Sequence, residues 1–272
     1  MKILDGKKLS EKILQELKKE VNRKRLRLTL GVNLVGDDKV SESFISQKKK
    51  ACEKIGINFR LFKFPSTINP SGLKKEIGKI AKKKNFGIII QLPLPKKFIP
   101  GEFLRLIPER KDIDVLSEES LGKFFQGTLP IRPPTVAGIL AILKEYKINT
   151  RGKNIIIIGA GKLVGFPLAV QLLKEKATLS VLEKFTKDTP FFLEKADIII
   201  SGVGKPNLVK GSMVKKGVIV VDAGSSWKAG KVIGDVDFKT VSKKASYISP
   251  VPGGVGPLTV AFLLKNLIKI NS

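Results

Sequence analysis

The residues able to do chemistry here are few in kind. The 272-residue chain has no histidine, one cysteine (Cys52) and two tyrosines. That excludes serine–histidine triads, cysteine–histidine dyads and histidine metal sites. It also excludes an internal disulfide and any multi-cysteine zinc or iron–sulfur centre. Proton transfer falls to Lys, Asp, Glu or Tyr, and no metal site is expected. One spacing is specific: Gly159-Ala160-Gly161-Lys162-Leu163-Val164-Gly165 lies between an apolar run at 154–158 and a helical pattern. Glycines in such a turn let a phosphate approach the backbone, and the helix N-terminus adds partial positive charge. The next apolar run ends at Glu183, 22 residues after Gly161. An acid at that strand end suits the ribose hydroxyls of a dinucleotide. The competing reading is a packing turn that binds nothing. Glu183 would repel a 2′-phosphate, and Lys184 beside it would attract one.

These residues need elements to hold them. Apolar spacing predicts a helix over 8–24, a strand over 28–35 and a helix over 41–55, with Ser41 as its cap and Phe44, Ile45, Ala51, Cys52 and Ile55 on its buried face. A strand near 57–64, a helix near 70–83 and the buried strand GIIIQLPLP (87–95), stopped by Pro93, follow. Past the Pro-rich turn 130–135 comes a helix over 136–146. A second run then alternates: strand 154–158, helix 163–174, strand 178–182, helix 189–195, and strands at 197–200, 218–222 and 247–249. A rigid loop, PVPGGVGP (250–257), precedes a closing helix over 258–269. Alternation of this kind indicates parallel α/β architecture. Two lobes are expected, dividing between residues 115 and 140.

Composition bounds the rest. With 42% hydrophobic and 28% charged residues, the chain reads as soluble and globular. It shows neither a leader pattern nor a membrane-spanning run. A reducing, cytoplasmic setting fits the lone thiol. The net charge of +27 suggests an anionic partner. However, 43 of the 51 basic residues are lysines, spread along the whole chain. Nucleic-acid sites draw on arginine for bidentate contacts. Compositional drift is therefore the preferred reading, with neither a specific nucleic-acid partner nor a membrane.

Six segments, in order and spacing, resemble the bifunctional methylenetetrahydrofolate dehydrogenase/methenyltetrahydrofolate cyclohydrolase family. They are VGDDKVSESFISQKKKACEKIGI (35–57), IIQLPLP (89–95), RKDIDVL (110–116), PPTVAGI (133–139), GAGKLVGFP (159–167) and PVPGGVGPLT (250–259). The last is the most specific. The resemblance implies an α/β fold of two lobes. A folate-binding, catalytic lobe (1–118) is completed by the C-terminal segment 251–272, and 119–250 forms a Rossmann-type NAD(P)-binding lobe. It implies hydride transfer from 5,10-methylenetetrahydrofolate to a nicotinamide cofactor. Hydrolysis of the resulting methenyl cation to 10-formyltetrahydrofolate follows. The implied partners are tetrahydrofolate derivatives, with or without a polyglutamate tail, and a second copy of the chain in a homodimer.

By the same resemblance, Lys48 is the catalytic lysine, Gln91 hydrogen-bonds it, and Asp114 holds the pterin ring. Phe44, Pro252, Gly253 and Gly254 contact the folate. Gly159, Ala160, Gly161, Gly165, Glu183 and Lys184 face the cofactor. Without the resemblance, Lys48 is one surface lysine among 43, and Asp112 and Asp114 are a polar loop or a helix cap. The chain departs from the family at several points. Phe44 replaces a tyrosine, which points to weakened hydrolysis or, as an alternative, to a dehydrogenase alone. Val115 replaces a glycine beside Asp114. Ala160-Gly161 replaces Arg-Ser, and Glu183-Lys184 stands where many members have His-Ser. The usual 2′-phosphate grip is largely missing, so of NAD and NADP the sequence favours NAD. A non-catalytic folate- or nucleotide-binding protein is the remaining alternative; intact Lys48, Gln91 and Asp114 argue against it.

Overall fold

Branched side chains stiffen χ1 and favour extended backbone. The run Ile155–Ile158 and the run Ile198–Ile200 accordingly sit in the middle of one sheet. The structure is a computed structural model that describes residues 1–228 and 230–271, with the backbone alone at 39 and 40. In chain order the elements are β1 (Lys2–Ile3), α1 (Gly6–Lys24), β2 (Thr29–Val35), α2 (Lys39–Ile55), β3 (Asn58–Phe64), α3 (Pro70–Ala81) and β4 (Phe86–Ile90). Then come α4 (Pro100–Leu104), α5 (Glu118–Gln126), α6 (Pro134–Glu145), β5 (Asn154–Ile158), α7 (Gly165–Lys174), β6 (Thr178–Leu182) and α8 (Thr189–Leu193). The last are β7 (Ile198–Ser201), β8 (Ile219–Asp222), β9 (Ser226–Lys228), β10 (Lys231–Ile233), α9 (Phe238–Val241), β11 (Tyr247–Ile248) and α10 (Val255–Ile270).

The chain forms two compact units. The first comprises Met1–Ser10 and Thr135–Thr259; the second comprises Glu11–Pro134 and Val260–Ser272. These bounds differ from the expected 1–118, 119–250 and 251–272. Residues 1–10 leave the N-terminal lobe because β1 pairs in parallel with β11. A two-residue strand carries no periodicity, so its partner is invisible in the sequence.

The first unit holds a parallel sheet in the order β1-β11-β8-β7-β5-β6. The order reverses between β5 and β7, since the chain runs outward to β6 and returns. Open α/β sheets bind ligands at the carboxyl ends of strands beside such a reversal. Ile156, Ile158, Leu182, Leu193, Ile199, Val220 and Ile248 pack in one core of this unit.

The second unit holds a parallel sheet in the order β3-β2-β4. Period-two alternation puts Phe86, Ile88 and Ile90 on one face, against Leu73, Ile77 and Ile80 of α3. Gly87 is on the other face, where an added Cβ would lie 2.6 Å from Leu267 and 2.8 Å from Ile113. The end of α10 thus packs directly on the strand. Asn266 of α10 donates to the carbonyls of Ile113 (2.9 Å) and Arg132 (2.7 Å).

Local starts and stops differ from expectation in places. Asp38, not Ser41, caps α2: its backbone is extended and its carboxylate accepts the Ser41 N–H at 2.8 Å. Gly56, in the left-handed region, ends that helix. β4 stops at Ile90, ahead of Gln91 rather than at Pro93. α7 starts at Gly165 rather than 163, because Val164 has non-helical backbone. α10 begins at Val255, inside the segment expected to be loop. Among the described residues, β1, α4, α5, α9 and the β9–β10 hairpin have no counterpart among the elements expected from the sequence.

Candidate functional site

α2 presents Phe44, Lys48 and Cys52 four residues apart, hence on one face. Ile45, Ala51, Cys52 and Ile55 are buried, which anchors the helix; Phe44 and Lys48 are half-buried. The Lys48 Nζ donates to Gln91 Oε1 at 2.8 Å. Gln91 is itself held at both ends. Its backbone N–H extends the ladder to Asn33 O (2.9 Å), and its Nε2 donates to Leu92 O (2.9 Å). The side-chain amide is therefore oriented before any ligand arrives.

Burial lowers the Lys48 pKa from its ordinary value, and the nearby charge of Asp114 works in the opposite direction. Burial also pushes the Asp114 carboxyl up to about 6, with Lys48 opposing and Asp112 assisting the rise. The Cys52 thiol is pushed up to about 12, first by burial and then by Glu53. It stays a protonated, inert neighbour.

The two aspartates near 113 divide the work that the sequence left open between them. Asp112 is buried and accepts the N–H groups of Leu116 (3.1 Å) and Ser117 (2.8 Å). It holds the turn, while Asp114 interacts with Lys48. Val115, directly after Asp114, adopts φ 57°, the left-handed backbone that glycine takes easily. A non-glycine residue there is strained by about 1–2 kcal/mol. Its fully buried side chain offsets that by about 1.5–3 kcal/mol. Valine at this position thus adopts a glycine-like φ.

In the first unit, β5 ends at Ile158 and Gly159 turns with φ 89°. Its N–H donates to Leu182 O at 2.8 Å. Gly165 must be glycine, since a Cβ would lie 1.7 Å from Gly159 O. Gly161, by contrast, has open space where its Cβ would go. The turn lies at the carboxyl end of β5 and directly ahead of α7, where strand end, close backbone and helix start together suit the phosphates of a nicotinamide dinucleotide. Glu183 follows β6, and its Oε1 accepts the Ala160 N–H. Its backbone N–H donates to Thr186 Oγ1 at 2.8 Å. Lys184 lies with its Nζ 5.4 Å from the Phe185 ring centroid.

The loop carrying Pro252, Gly253 and Gly254 is in this first unit too. Gly253 O accepts the Lys7 N–H at 2.8 Å, and Gly254 N–H donates to Pro250 O at 2.8 Å. A Cβ on Gly6 would lie 1.8 Å from Gly254 O, so the start of α1 clasps this loop. Lys48, Gln91 and Asp114 come together in one unit; Gly159–Gly165, Glu183 and Pro252–Gly254 belong to the other. Gly6 and the buried carboxylates of Asp222 and Asp235 were missed in the sequence. An acid flanked by glycine, as in Gly234-Asp235, was the one available signal for the last.

A parallel α/β sheet with a glycine turn at its reversal, joined in one chain to a unit carrying a desolvated lysine and carboxylate, is the architecture of a nicotinamide-linked enzyme. Residues 4–114 match the tetrahydrofolate dehydrogenase/cyclohydrolase catalytic domain, and residues 133–272 match the NAD(P)-binding domain of the same family. The chain belongs to this family, whose members oxidise methylenetetrahydrofolate and hydrolyse methenyltetrahydrofolate. The bifunctional protein FolD of Nitratiruptor sp. is 44% identical over 274 residues, covering 99% of this chain and 97% of that one. The crystal structure of the bifunctional FolD enzyme from Campylobacter jejuni superposes with a TM-score of 0.93 at 42% identity, covering 99% of this chain and 98% of that one. A Trypanosoma brucei FolD, complexed with NADP cofactor and inhibitor, gives a TM-score of 0.93 at 30% identity, covering 98% and 96%. The protein is a bifunctional dehydrogenase and cyclohydrolase with a nicotinamide cofactor.

Proposed function

We propose that Lys48, oriented by Gln91 and flanked by Asp114, is the proton-transfer group of the hydrolytic reaction. The 2.8 Å bond from a lysine of lowered pKa to a pre-oriented amide carries this reading. Water adds to the bridging carbon of the methenyl cation and gives a proton to the neutral Lys48 amine. The bond from that carbon to N5 breaks as the remaining hydroxyl proton leaves to form the C=O, N5 takes up one proton, and the formyl group stays on N10. One proton is released overall. Asp114 accepts bonds from the pterin amino and ring N–H groups, and Phe44 contacts the folate. For the oxidative step, the cofactor supplies a hydride acceptor when bound. The Gly159–Gly165 turn binds its phosphates.

NAD is the preferred cofactor. The support is the Glu183 carboxylate on the Ala160 N–H. A donor that would favour a 2′-phosphate is already occupied by a like charge. Unit charges at about 4 Å repel by roughly 4 kcal/mol at an effective dielectric of 20, before solvent screening reduces it. The opposing cation, Lys184, rests on Phe185 instead. The test is kcat/KM for both cofactors in wild type and Glu183→Ser. Wild type should favour NAD, and Glu183→Ser should move the ratio toward NADP by tenfold or more. A wild type preferring NADP tenfold, with no change in Glu183→Ser, removes the reading.

A homodimer belongs to the same proposal. β3 pairs only with β2 and is an edge strand. It exposes Leu61 beside a groove of about 490 Å³ lined by Ile45, Lys49, Phe59 and Lys63. An unpaired edge is a template for a second strand, and a twofold supplies an identical one. Sedimentation should give a dimer, and Leu61→Lys should give a monomer. The setting is cytoplasmic, where a free thiol such as Cys52 stays reduced. Among the described residues, no helix is long and apolar enough to cross a membrane.

A further inference from the structure

Two carboxylates in the first unit take no part in the chemistry above, yet both are buried. Asp222 ends β8, and Asp235 follows β10; they are 3% and 0% exposed. A buried carboxylate is tolerated only when its oxygens are satisfied. Asp235 Oδ2 accepts from Ser201 Oγ and from the Val203 N–H, both at 2.7 Å, and its Oδ1 accepts from the Lys205 N–H at 2.8 Å. Those three donors all come from the carboxyl end of β7 and the segment just past it. The segment has left the sheet there, so the Val203 and Lys205 amides have no ladder partner, and Asp235 replaces one.

The segment it holds faces the dinucleotide turn. A Cβ on Gly159 would lie 3.0 Å from Val203 Cγ2 and 3.5 Å from Gly202 O. A Cβ on Gly202 would lie 2.9 Å from Val164 Cγ1. Val203 therefore forms the wall opposite Gly159, on the β7 side of the sheet's reversal. Asp222 in turn fixes the chain around Asp235. It accepts the N–H groups of Gly224 (2.9 Å), Asp235 (3.1 Å) and Val236 (2.9 Å). Glycines let the backbone lie flat on both acids: a Cβ on Gly224 would be 2.1 Å from Asp235 Cγ, and one on Gly234 would be 2.0 Å from Asp222 Oδ2.

We propose that Asp235 is a positioning residue of the cofactor site. Its carboxylate fixes Val203–Lys205 opposite Gly159, so that this wall is set before the dinucleotide binds. Preset geometry lowers the ordering cost of binding. The idea rests on reading the Gly159 turn as the cofactor site. Titrating Gly165→Ala beside wild type with NADH and NADPH, by nicotinamide fluorescence, tests that reading first and separately: equal binding by the two removes it.

The test of the proposal uses Asp235→Asn, which sets an amide donor against at least one of the three donors, and Ser201→Ala, which removes one bond. Dissociation constants for NADH, dehydrogenase kcat and KM, and cofactor-free hydrolysis of the methenyl substrate are measured for each. Asp235→Asn should raise the NADH dissociation constant and the cofactor KM at least tenfold, with kcat within threefold. Its hydrolysis rate, which serves as the fold control, should stay within twofold. Ser201→Ala should shift the same two constants about threefold in the same direction. NADH binding within twofold of wild type in Asp235→Asn overturns the proposal. A parallel fall of both activities overturns it as well, since that marks a purely structural role. If Asp235→Asn fails to fold, Ser201→Ala decides: unchanged NADH binding there overturns it.

Discussion

Lys48 carries the most consequential single expectation. Removing its amine in Lys48→Met should abolish hydrolysis of the methenyl substrate, and Lys48→Arg should not restore it. Arginine stays protonated at any working pH and accepts no proton. Because burial lowers the Lys48 pKa, the hydrolysis rate of wild type should rise with pH and level off below the ordinary lysine value of 10.5. Absorbance decay of the methenyl chromophore reads both effects, and near wild-type decay in Lys48→Met would sink the assignment. Asp114 trades stability for binding. Its pKa is raised from 3.8 to about 6, so the folded state holds this proton more tightly than the unfolded chain. Its stabilising contribution is full below pH 3.8 and is lost as pH rises through about 6. Asp114→Asn should therefore gain stability relative to wild type between pH 4 and pH 7, measured by urea midpoints, while its folate KM rises. A relative loss over that interval would contradict the burial argument. At Phe44 only a hydroxyl is missing. A neutral hydrogen bond contributes about 0.5–1.5 kcal/mol, so Phe44→Tyr should leave turnover unchanged within a few-fold or raise it. Loss of activity would mean the site has repacked around phenylalanine.

At the scale of elements, the two glycines of the dinucleotide turn separate cleanly. Gly165 lets α7 start against the carbonyl of Gly159, 1.7 Å from where a Cβ would sit. Overpacking a close contact costs about 1–3 kcal/mol. Gly165→Ala should lose stability in that range and bind NADH at least tenfold more weakly. Gly161 meets nothing within 4 Å and has no positive φ. Gly161→Ala should bind within a few-fold of wild type. Calorimetric titration of both variants would show whether strand–helix packing or the motif spelling governs the site; equal losses would refute the packing account. The same contrast explains α2. Its cap at Asp38 and its left-handed stop at Gly56 set where the helix begins and ends.

For the molecule as a whole, charge is the outlying property. Ion pairs such as Lys63 with Asp37 and Lys123 with Glu119 are exposed and contribute little to stability. The +27 charge should act at long range. Duplex DNA should bind in the nonspecific range of about 10⁻⁴–10⁻⁶ M at physiological salt and weaken steeply as salt is added. Fluorescence anisotropy with unrelated duplexes tests this, and a nanomolar, sequence-dependent interaction would restore a dedicated nucleic-acid role.

Much of this protein was readable from sequence, for physical reasons that differ by feature. Strands 154–158 and 178–182 were legible to the residue, the first from an unbroken isoleucine run between Asn154 and Gly159, the second from a short, mostly apolar run that stops at Glu183. The family and its two reactions were legible because six short segments keep order and spacing. What needed tertiary structure was anything decided by a partner distant in sequence. β1 joins a sheet through residues 247 and 248. Glu183 reaches the Ala160 amide from 23 residues away. Asp112 and Asp114 look equivalent in sequence, yet one satisfies backbone amides and the other opposes a lysine. Hydrophobic periodicity reports which face of an element is buried. It says nothing about which amide a carboxylate will meet, and that pairing sets the charge and orientation on which the chemistry depends.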